Sequence, residues 1–193
     1  YFWIIILLLY MNIIGCNKTG GNDSNYNNEP TITFIEDLDR SKIAVKQTDD
    51  GGYIVGGQES GNAWMTKLDK YGSQEWENTY SLEDHLGYTR AVIQTNDGGY
   101  LYGGWGGIVK ADSNGMEEWK NNSREYGAFP YYEDVIQHSN GSYYAVGGPG
   151  QGQAQFVKFD SNGNVLTRKW FGGNCEDDIF RSIVESPDNM LVI

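Results

Sequence analysis

Positive charge, proline, cysteine and histidine are all scarce in this chain, and no segment sustains a helical period. Without apolar residues recurring every three to four positions, a helical bundle or coiled coil is excluded. Lys and Arg number 14 against 26 Asp and Glu, a formal net charge of -12, and the basic residues are not clustered. Binding a phosphate backbone requires such clusters, so nucleic acid is not an expected partner. Proline occurs 4 times and glycine 26 times, a balance that suits short strands joined by tight turns. The 2 cysteines, Cys16 and Cys175, have different settings. With Cys16 assigned to a leader, as argued below, Cys175 is the sole thiol of the mature chain and no internal disulfide is expected. No histidine lies near Cys175, which reads as a small, partly buried side chain.

What the chain has in quantity is repetition. QTDDGGYIVGG at 47–57 returns as QTNDGGYLYGG at 94–104 and, loosened, as QHSNGSYYAVGG at 137–148, and ESPDNMLVI at 185–193 begins a fourth copy. Each copy places a polar turn between two short apolar runs. The turns are Asp50, Gly51 and Gly52; Asp97, Gly98 and Gly99; and Asn140, Gly141 and Ser142. Asp-Gly and Asn-Gly accept the positive φ that a tight hairpin needs. The run after the turn is aromatic and β-branched, as in Tyr53, Ile54 and Val55, so the recurring unit is a β-hairpin. Gln47 recurs 47 positions on as Gln94 and 43 further on as Gln137, a period that points to solenoids or propellers.

Four strand-like pieces fit within a repeat, and in the first copy they are 44–48, 53–57, 63–68 and 74–80. The turn between the third and fourth pieces also repeats, as K-x-D-x-x-G from Lys67, Lys110 and Lys158, with a tryptophan on the next strand at Trp76, Trp119 and Trp170. Four antiparallel strands in about 45 residues is the design of a propeller blade. The expected fold is therefore all-β, a β-propeller-like array of four-stranded antiparallel blades. Full copies fall at 44–80, 91–127 and 134–171, with a partial copy at 182–193. Three and a fraction blades do not close a ring of the usual four to eight, so the array is expected to be incomplete and to belong to a larger domain. The repeated tryptophans are expected where neighbouring blades or sheet faces bury a large ring, and the 14 Tyr and 6 Trp are expected to supply much of the core. TITFIEDL at 31–38 alternates as a strand and stands before the first copy as 74–80 stands before the second. It is expected to form the outermost strand of a final blade.

The amino-terminal run FWIIILLLYMNII is short for a bilayer span but has the length of the apolar core of a signal peptide. Ile13, Ile14 and Gly15 then precede Cys16, with an aliphatic residue at −3 and a small one at −1. That sequence resembles the lipobox of bacterial lipoproteins, which implies lipidation of Cys16 and cleavage just before it. Residues 17–30, NKTGGNDSNYNNEP, offer little to bury and read as a flexible tether. The expected order is a signal peptide at 1–15, truncated at its start, then the lipidated Cys16 with its tether at 16–30, then the repeats at 31–193. An exported protein held by lipid at the outer membrane or cell surface follows.

The coupled patterns Q-x-x-D-G-G-Y and K-x-D-x-x-G with a following Trp resemble the DGGY-type repeats of secreted and lipid-anchored proteins of Bacteroidetes-like bacteria. The resemblance covers residues 31–193 and implies a β-propeller. The third copy departs from it, with Asn140, Gly141 and Ser142 in place of Asp-Gly-Gly and one extra residue before its glycine pair.

No catalytic constellation stands out. Asp160, Asn162 and Asn164 alternate as ligands do in short calcium loops, but the first two copies offer only Asp69, and then Asp112 with Asn114, and no bidentate Glu completes a shell. A turn whose Asp caps backbone N–H groups accounts for all three copies. The K-x-D-x-x-G turns are similar to sialidase Asp-boxes and quinoprotein repeats, without the arginine triad or the quinone and metal ligands of those enzymes. His138 replaces Thr48 and Thr95 of the motif and reads as a turn residue. His85 lies in a connecting loop beside Glu83 and Asp84, with no nucleophile indicated. Acidic pairs recur at Glu83 and Asp84, at Glu133 and Asp134, and at Glu176 to Asp178, and read as a solvated rim. The expected function is a non-catalytic binding or scaffolding module without a cofactor. Its loops at 57–63, 104–107 and 148–155 would contact a glycan, a peptide or another envelope protein. The alternative is a sialidase-like or quinoprotein-like enzyme, which requires acidic, Arg or Tyr residues converging on the inner strands. Those positions read as small and apolar at Ala44, Val45, Ala91 and Val92.

Overall fold

The computed structural model describes residues 41–82, 87–122, 130–148, 152–172 and 178–193. Three antiparallel sheets of four strands follow one another along the chain, each in sequential order. The first holds β1 (Ser41–Gln47), β2 (Tyr53–Glu59), β3 (Asn62–Leu68) and β4 (Gln74–Tyr80). The second holds β5 (Tyr88–Gln94), β6 (Tyr100–Trp105), β7 (Gly107–Ala111) and β8 (Glu117–Asn121). The third holds β9 (Tyr132–Gln137), β10 (Tyr143–Gly147), β11 (Ala154–Phe159) and β12 (Val165–Phe171). A hairpin of β13 (Val184–Glu185) and β14 (Leu191–Val192) begins a fourth. Among the described residues there is no helix, and so none long and apolar enough to cross a membrane. The 31–38 strand expected from the sequence lies outside the described residues.

The blades stack because both faces of each sheet are apolar. Successive side chains of a strand point to opposite faces, and both faces of the second and third sheets meet a neighbour. From the second blade, Tyr100 and Tyr102 face the first and pack with Ile54, Met65, Tyr80 and Val92. Leu101 and Ile108 face the third and pack with Tyr132, Val135, Val157 and Phe159. Tyr144, Val146 and Ile183 form the next contact, between the third blade and the fourth-copy hairpin. Middle strands therefore read as continuous apolar runs rather than alternating ones. Tyr102, Tyr132 and Phe159 are fully buried in these interfaces, and Trp64 is fully buried against Val55 and Leu68 of its own blade. The first strand of each blade meets the first two strands of its predecessor, β5 against β1 and β2, and β9 against β5 and β6. First strands thus gather on the inner side of the array.

Each first strand carries a bulge at an equivalent place. Pairing skips from Lys42 to Ala44 on β1, from Thr89 to Ala91 on β5, and from Tyr132 to Asp134 on β9. The extra residues in the second and third blades are Arg90 and Glu133. A bulge takes one residue out of the ladder and re-aims its side chain.

Candidate binding face

The motif turns all lie on one edge of the blades. In the first blade Thr48 and Gly52 close the hairpin, with Thr48 N–H donating to Gly52 O at 2.9 Å and Gly51 N–H to Thr48 O at 2.9 Å. Positive φ falls on the glycine alone, at +82° for Gly51, +80° for Gly98 and +84° for Gly141. Asp50 holds the turn from inside, since its Oδ1 accepts Thr48 Oγ1–H at 2.5 Å and Gly52 N–H at 2.9 Å. Its Oδ2 meets Lys67 Nζ at 2.8 Å, and Lys67 also reaches Glu75 at 3.0 Å and its neighbour's Leu68 carbonyl at 3.0 Å. The second blade repeats this with Thr95, Asp97, Lys110 and Glu118, Lys110 lying 3.0 Å from Asp97 and 2.8 Å from Glu118.

These motif lysines are buried, at 2 % and 1 % exposure for Lys67 and Lys110. Burial alone would lower their pKa, but the hydrogen bonds they donate to the two carboxylates outweigh it and raise both ammonium groups above their usual value. The bond from Lys67, then those from Thr48 and the Gly52 N–H, hold the Asp50 carboxyl far below the usual carboxylate range. For Asp97 burial pushes upward, yet Thr95, the Gly99 N–H and Lys110 together bring it below that range. The third blade has lost both carboxylates at once, with Asn140 at the turn and Leu166 where Glu75 and Glu118 stand. Lys158 lies instead over the Tyr144 ring, 5.5 Å from its centroid.

Neighbouring blades are stitched by the rest of the motif. Gln94 Oε1 accepts the Asp49 N–H at 2.8 Å, Gln137 Oε1 accepts the Asn96 N–H at 2.7 Å, and Glu185, in place of Gln, accepts the Ser139 N–H at 2.8 Å. His138 belongs to this stitch. Its Nδ1 accepts the Asn140 N–H at 3.1 Å and its Nε2 lies 3.1 Å from Asn189 O, which fixes the ring in the Nε2–H form. Trp76 packs edge-on against Tyr100, centroids 5.4 Å apart, and Trp119 packs against Tyr143 at 5.6 Å. The DGGY tyrosine of one blade therefore receives the tryptophan of the blade before it.

Strand register corrects the third tryptophan. Lys67 pairs with Trp76 and Lys110 with Trp119, but Lys158 pairs with Thr167. Trp170 pairs with Gln155, and an odd number of steps along a pleated strand puts it on the opposite face. In the K-x-D-x-x-G turns, Asp69 Oδ1 accepts the N–H groups of Tyr71 and Ser73, and Asp112 those of Asn114 and Met116. Asp160 does the same for Asn162 and Asn164, and its Oδ2 takes the Asn164 amide at 2.9 Å. Each of these aspartates caps its own turn. Cys16, His85, Cys175, Glu83, Asp84, Glu176 and Asp177 lie outside the described residues.

The opposite edge carries what the repeat does not predict. The turns at 57–63 and 104–107 join a second strand to a third, and the end of β10 at 147–148 lies at the same edge. Each is tied to the chain arriving at the next blade: Gly87 N–H donates to Gly61 O at 2.8 Å, Gly106 N–H to Pro130 O at 2.9 Å, and Phe180 N–H to Gly147 O at 3.3 Å. Three rings lie together here. Tyr88 and Trp105 are cross-strand partners with centroids 5.8 Å apart, and Trp105 meets Tyr131 of the third blade at 5.9 Å, edge-on. Trp105 is 40 % exposed and Tyr88 38 %.

Arg90 lies over the Tyr131 ring at 5.4 Å. Its Nε is 3.9 Å from Glu133, whose other oxygen accepts from Arg181 Nη1 at 2.7 Å. Burial, and then the bond to Glu133, push the Tyr131 hydroxyl upward in pKa. Arg90 on β5 and Glu133 on β9 are the bulged residues of successive inner strands, and Arg181, in the segment before β13, lies as far ahead of Glu185 as Glu133 lies ahead of Gln137. Beside the small apolar residues expected on the inner strands, the bulges of β5 and β9 add Arg90 and Glu133, and Arg181 meets Glu133 from the segment before β13. Asp134 adds to this contact by accepting from Ser182 Oγ and the Ile183 N–H, both at 3.0 Å.

No family model matches the chain, and no curated protein matches it significantly. Solved structures match in fold. A Bacteroides caccae protein of unknown function aligns with a TM-score of 0.55 and 16% identity, over 72% of this chain and 49% of its own. A catalytically inactive virginiamycin B lyase from Staphylococcus aureus with quinupristin aligns with a TM-score of 0.59 and 12% identity, over 81% and 50%. The Neurospora crassa Pan2 WD40 domain aligns with a TM-score of 0.54 and 12% identity, over 75% and 41%. The chain thus spans half or less of the length of these structures. The fold is that of a β-propeller, of which the described residues form three blades and the first hairpin of a fourth.

Proposed function

We propose that the chain is part of a DGGY-type propeller lipoprotein, exported and held at the outer membrane or cell surface through Cys16, that works as a non-catalytic binding or scaffolding module without a cofactor. One observation carries the binding part: the repeated motif residues are engaged in blade construction on one edge, whereas the other edge exposes Tyr88, Trp105 and Arg90. Exposed aromatic and arginine side chains on a rigid frame are the composition of a recognition surface. The ligand is a glycan, a peptide or another envelope protein. The anchor is supported by sequence order alone, an apolar run, Ile-Ile-Gly-Cys and a polar tether.

Two experiments test this. A Cys16→Ser variant is expected to lose lipid labelling and membrane partitioning, and unchanged association would refute the anchor. Screening the full chain against glycans and envelope proteins is expected to give saturable binding that Trp105→Ala removes. A catalytic propeller is the second reading, favoured by Arg90 and Arg181 converging on Glu133 at the inner side of the array. Turnover of a bound compound, abolished by Glu133→Gln, would establish it instead.

A further inference from the structure

We infer that the ligand of the exposed edge is an acidic carbohydrate, whose sugar faces lie on Trp105 and Tyr88 and whose carboxylate meets Arg90. The inference rests on the binding-module reading and deepens it.

The rings favour a sugar. Tyr88 and Trp105 are opposite one another across β5 and β6, so strand register holds their rings 5.8 Å apart with a 33° tilt. The Trp105 backbone is further fixed by its bridge to Tyr131. Rings held in this way lose little entropy on binding. The C–H face of a pyranose carries slight positive charge and suits the negative face of an aromatic ring. Size argues the same way. Two rings exposed by about two-fifths offer roughly 200 Å² of apolar surface, which covers one or two sugar units. A stable protein partner needs about 800 Å² on each side.

The charge selects an acidic one. Glu133 is 9 % exposed in its side chain and already accepts from Arg181 at 2.7 Å, while Arg90 approaches it only through Nε at 3.9 Å and is 40 % exposed. Two guanidinium groups thus share one carboxylate. Arg90 thus presents a part-exposed guanidinium over Tyr131 beside the rings, with donors available to a further carboxylate. Guanidinium recognises carboxylate by paired N–H donors. Arg90 is also the bulged residue of β5, held over Tyr131 at 5.4 Å, so its head is positioned before any ligand arrives.

The test is calorimetric titration of the full chain with a panel of hexuronic-acid oligosaccharides and their carboxyl-reduced counterparts, with a peptide library in parallel. The acidic forms are expected to bind at least tenfold more tightly than the reduced ones. Trp105→Ala, with an unchanged circular-dichroism spectrum, is expected to weaken both forms tenfold or more. Arg90→Gln is expected to abolish the preference while keeping the residual affinity for the reduced form. Equal affinity for the two forms, a preference that survives Arg90→Gln, or no binding to any uronate would overturn the inference. Peptide binding lost in Trp105→Ala would overturn it too, yet leave the binding module standing. Cleavage of the oligosaccharide would instead sink the non-catalytic reading.

Discussion

Trp119 of the second blade donates its indole N–H to the carbonyl of Ser161 in the third, at 2.9 Å, and packs against the turn that Ser161 begins. A Cβ placed on Gly163 of that turn would come within 2.4 Å of the indole. Trp76 and Gly115 repeat the relationship one blade earlier, where a Cβ on Gly115 would come within 2.6 Å of the ring. The glycine of K-x-D-x-x-G thus serves two ends, a positive φ and a seat for the preceding blade's tryptophan.

A contrast between two glycines separates these ends. Gly163 has φ +79° and a crowded Cβ position, whereas Gly141 has φ +84° and nothing within 4 Å. Gly141→Ala is expected to cost about 1–2 kcal/mol, the strain of a left-handed alanine. Gly163→Ala is expected to cost about 2–4 kcal/mol because overpacking is added. Urea denaturation of the two variants measures the difference, and equal losses would mean that the tryptophan seat contributes nothing.

Lys110→Met removes the cation shared by Asp97 and Glu118. Breaking a fully buried pair costs about 3–5 kcal/mol, but these carboxylates are 54% and 46% exposed and can hydrate. The expected loss is about 1–3 kcal/mol, read as a lower midpoint with an unchanged urea slope. A gain in stability would show that the buried lysine is a net cost.

Acid should undo the same network. Asp50 and Asp97 are held below the usual carboxylate range by their lysines and turn donors. A carboxylate depressed on folding contributes its stability above its unfolded pKa, about 4, and loses it as pH falls through the folded value. Stability is therefore expected to drop as pH falls below about 4, and Asp50→Asn with Asp97→Asn is expected to flatten that limb. An identical acid profile in the double variant would contradict the assignment.

The third blade offers the converse test. Asn140→Asp and Leu166→Glu restore both missing carboxylates around Lys158, which now lies over Tyr144. Together they are expected to exceed the sum of the single effects by about 0.5–1 kcal/mol, the coupling typical of residues sharing one ion network. Strict additivity would mean that Lys158 stays on Tyr144.

The blades were legible because their signals are local. A turn dipeptide and the apolar runs beside it lie within a dozen residues, and QTDDGGYIVGG contains both. Equivalence across blades was harder to read. Trp170 looked like the third repeated aromatic, but spacing from Gly163 points to Thr167, since Gly72 to Trp76 and Gly115 to Trp119 are both four steps. The burial of Lys67 was hidden because lysine alone reads as exposed, and its partners lie far from one another in sequence, Asp50 on a hairpin turn and Glu75 on β4. Arg90, Glu133 and Arg181 are not one repeated residue type, and only the bulges on β5 and β9 show that Arg90 and Glu133 are turned out of the ladder at the same place.

Construction and recognition fall on opposite edges of the blades, and a tryptophan on each edge separates the two. Trp119→Ala and Trp105→Ala should be compared for stability by urea denaturation and for ligand affinity by titration. Trp119→Ala is expected to lose about 3–5 kcal/mol while the folded fraction binds normally. Trp105→Ala is expected to change stability by less than about 1 kcal/mol and to lose binding at least tenfold. Binding lost in the stable fraction of Trp119→Ala, or unfolding caused by Trp105→Ala, would contradict the account.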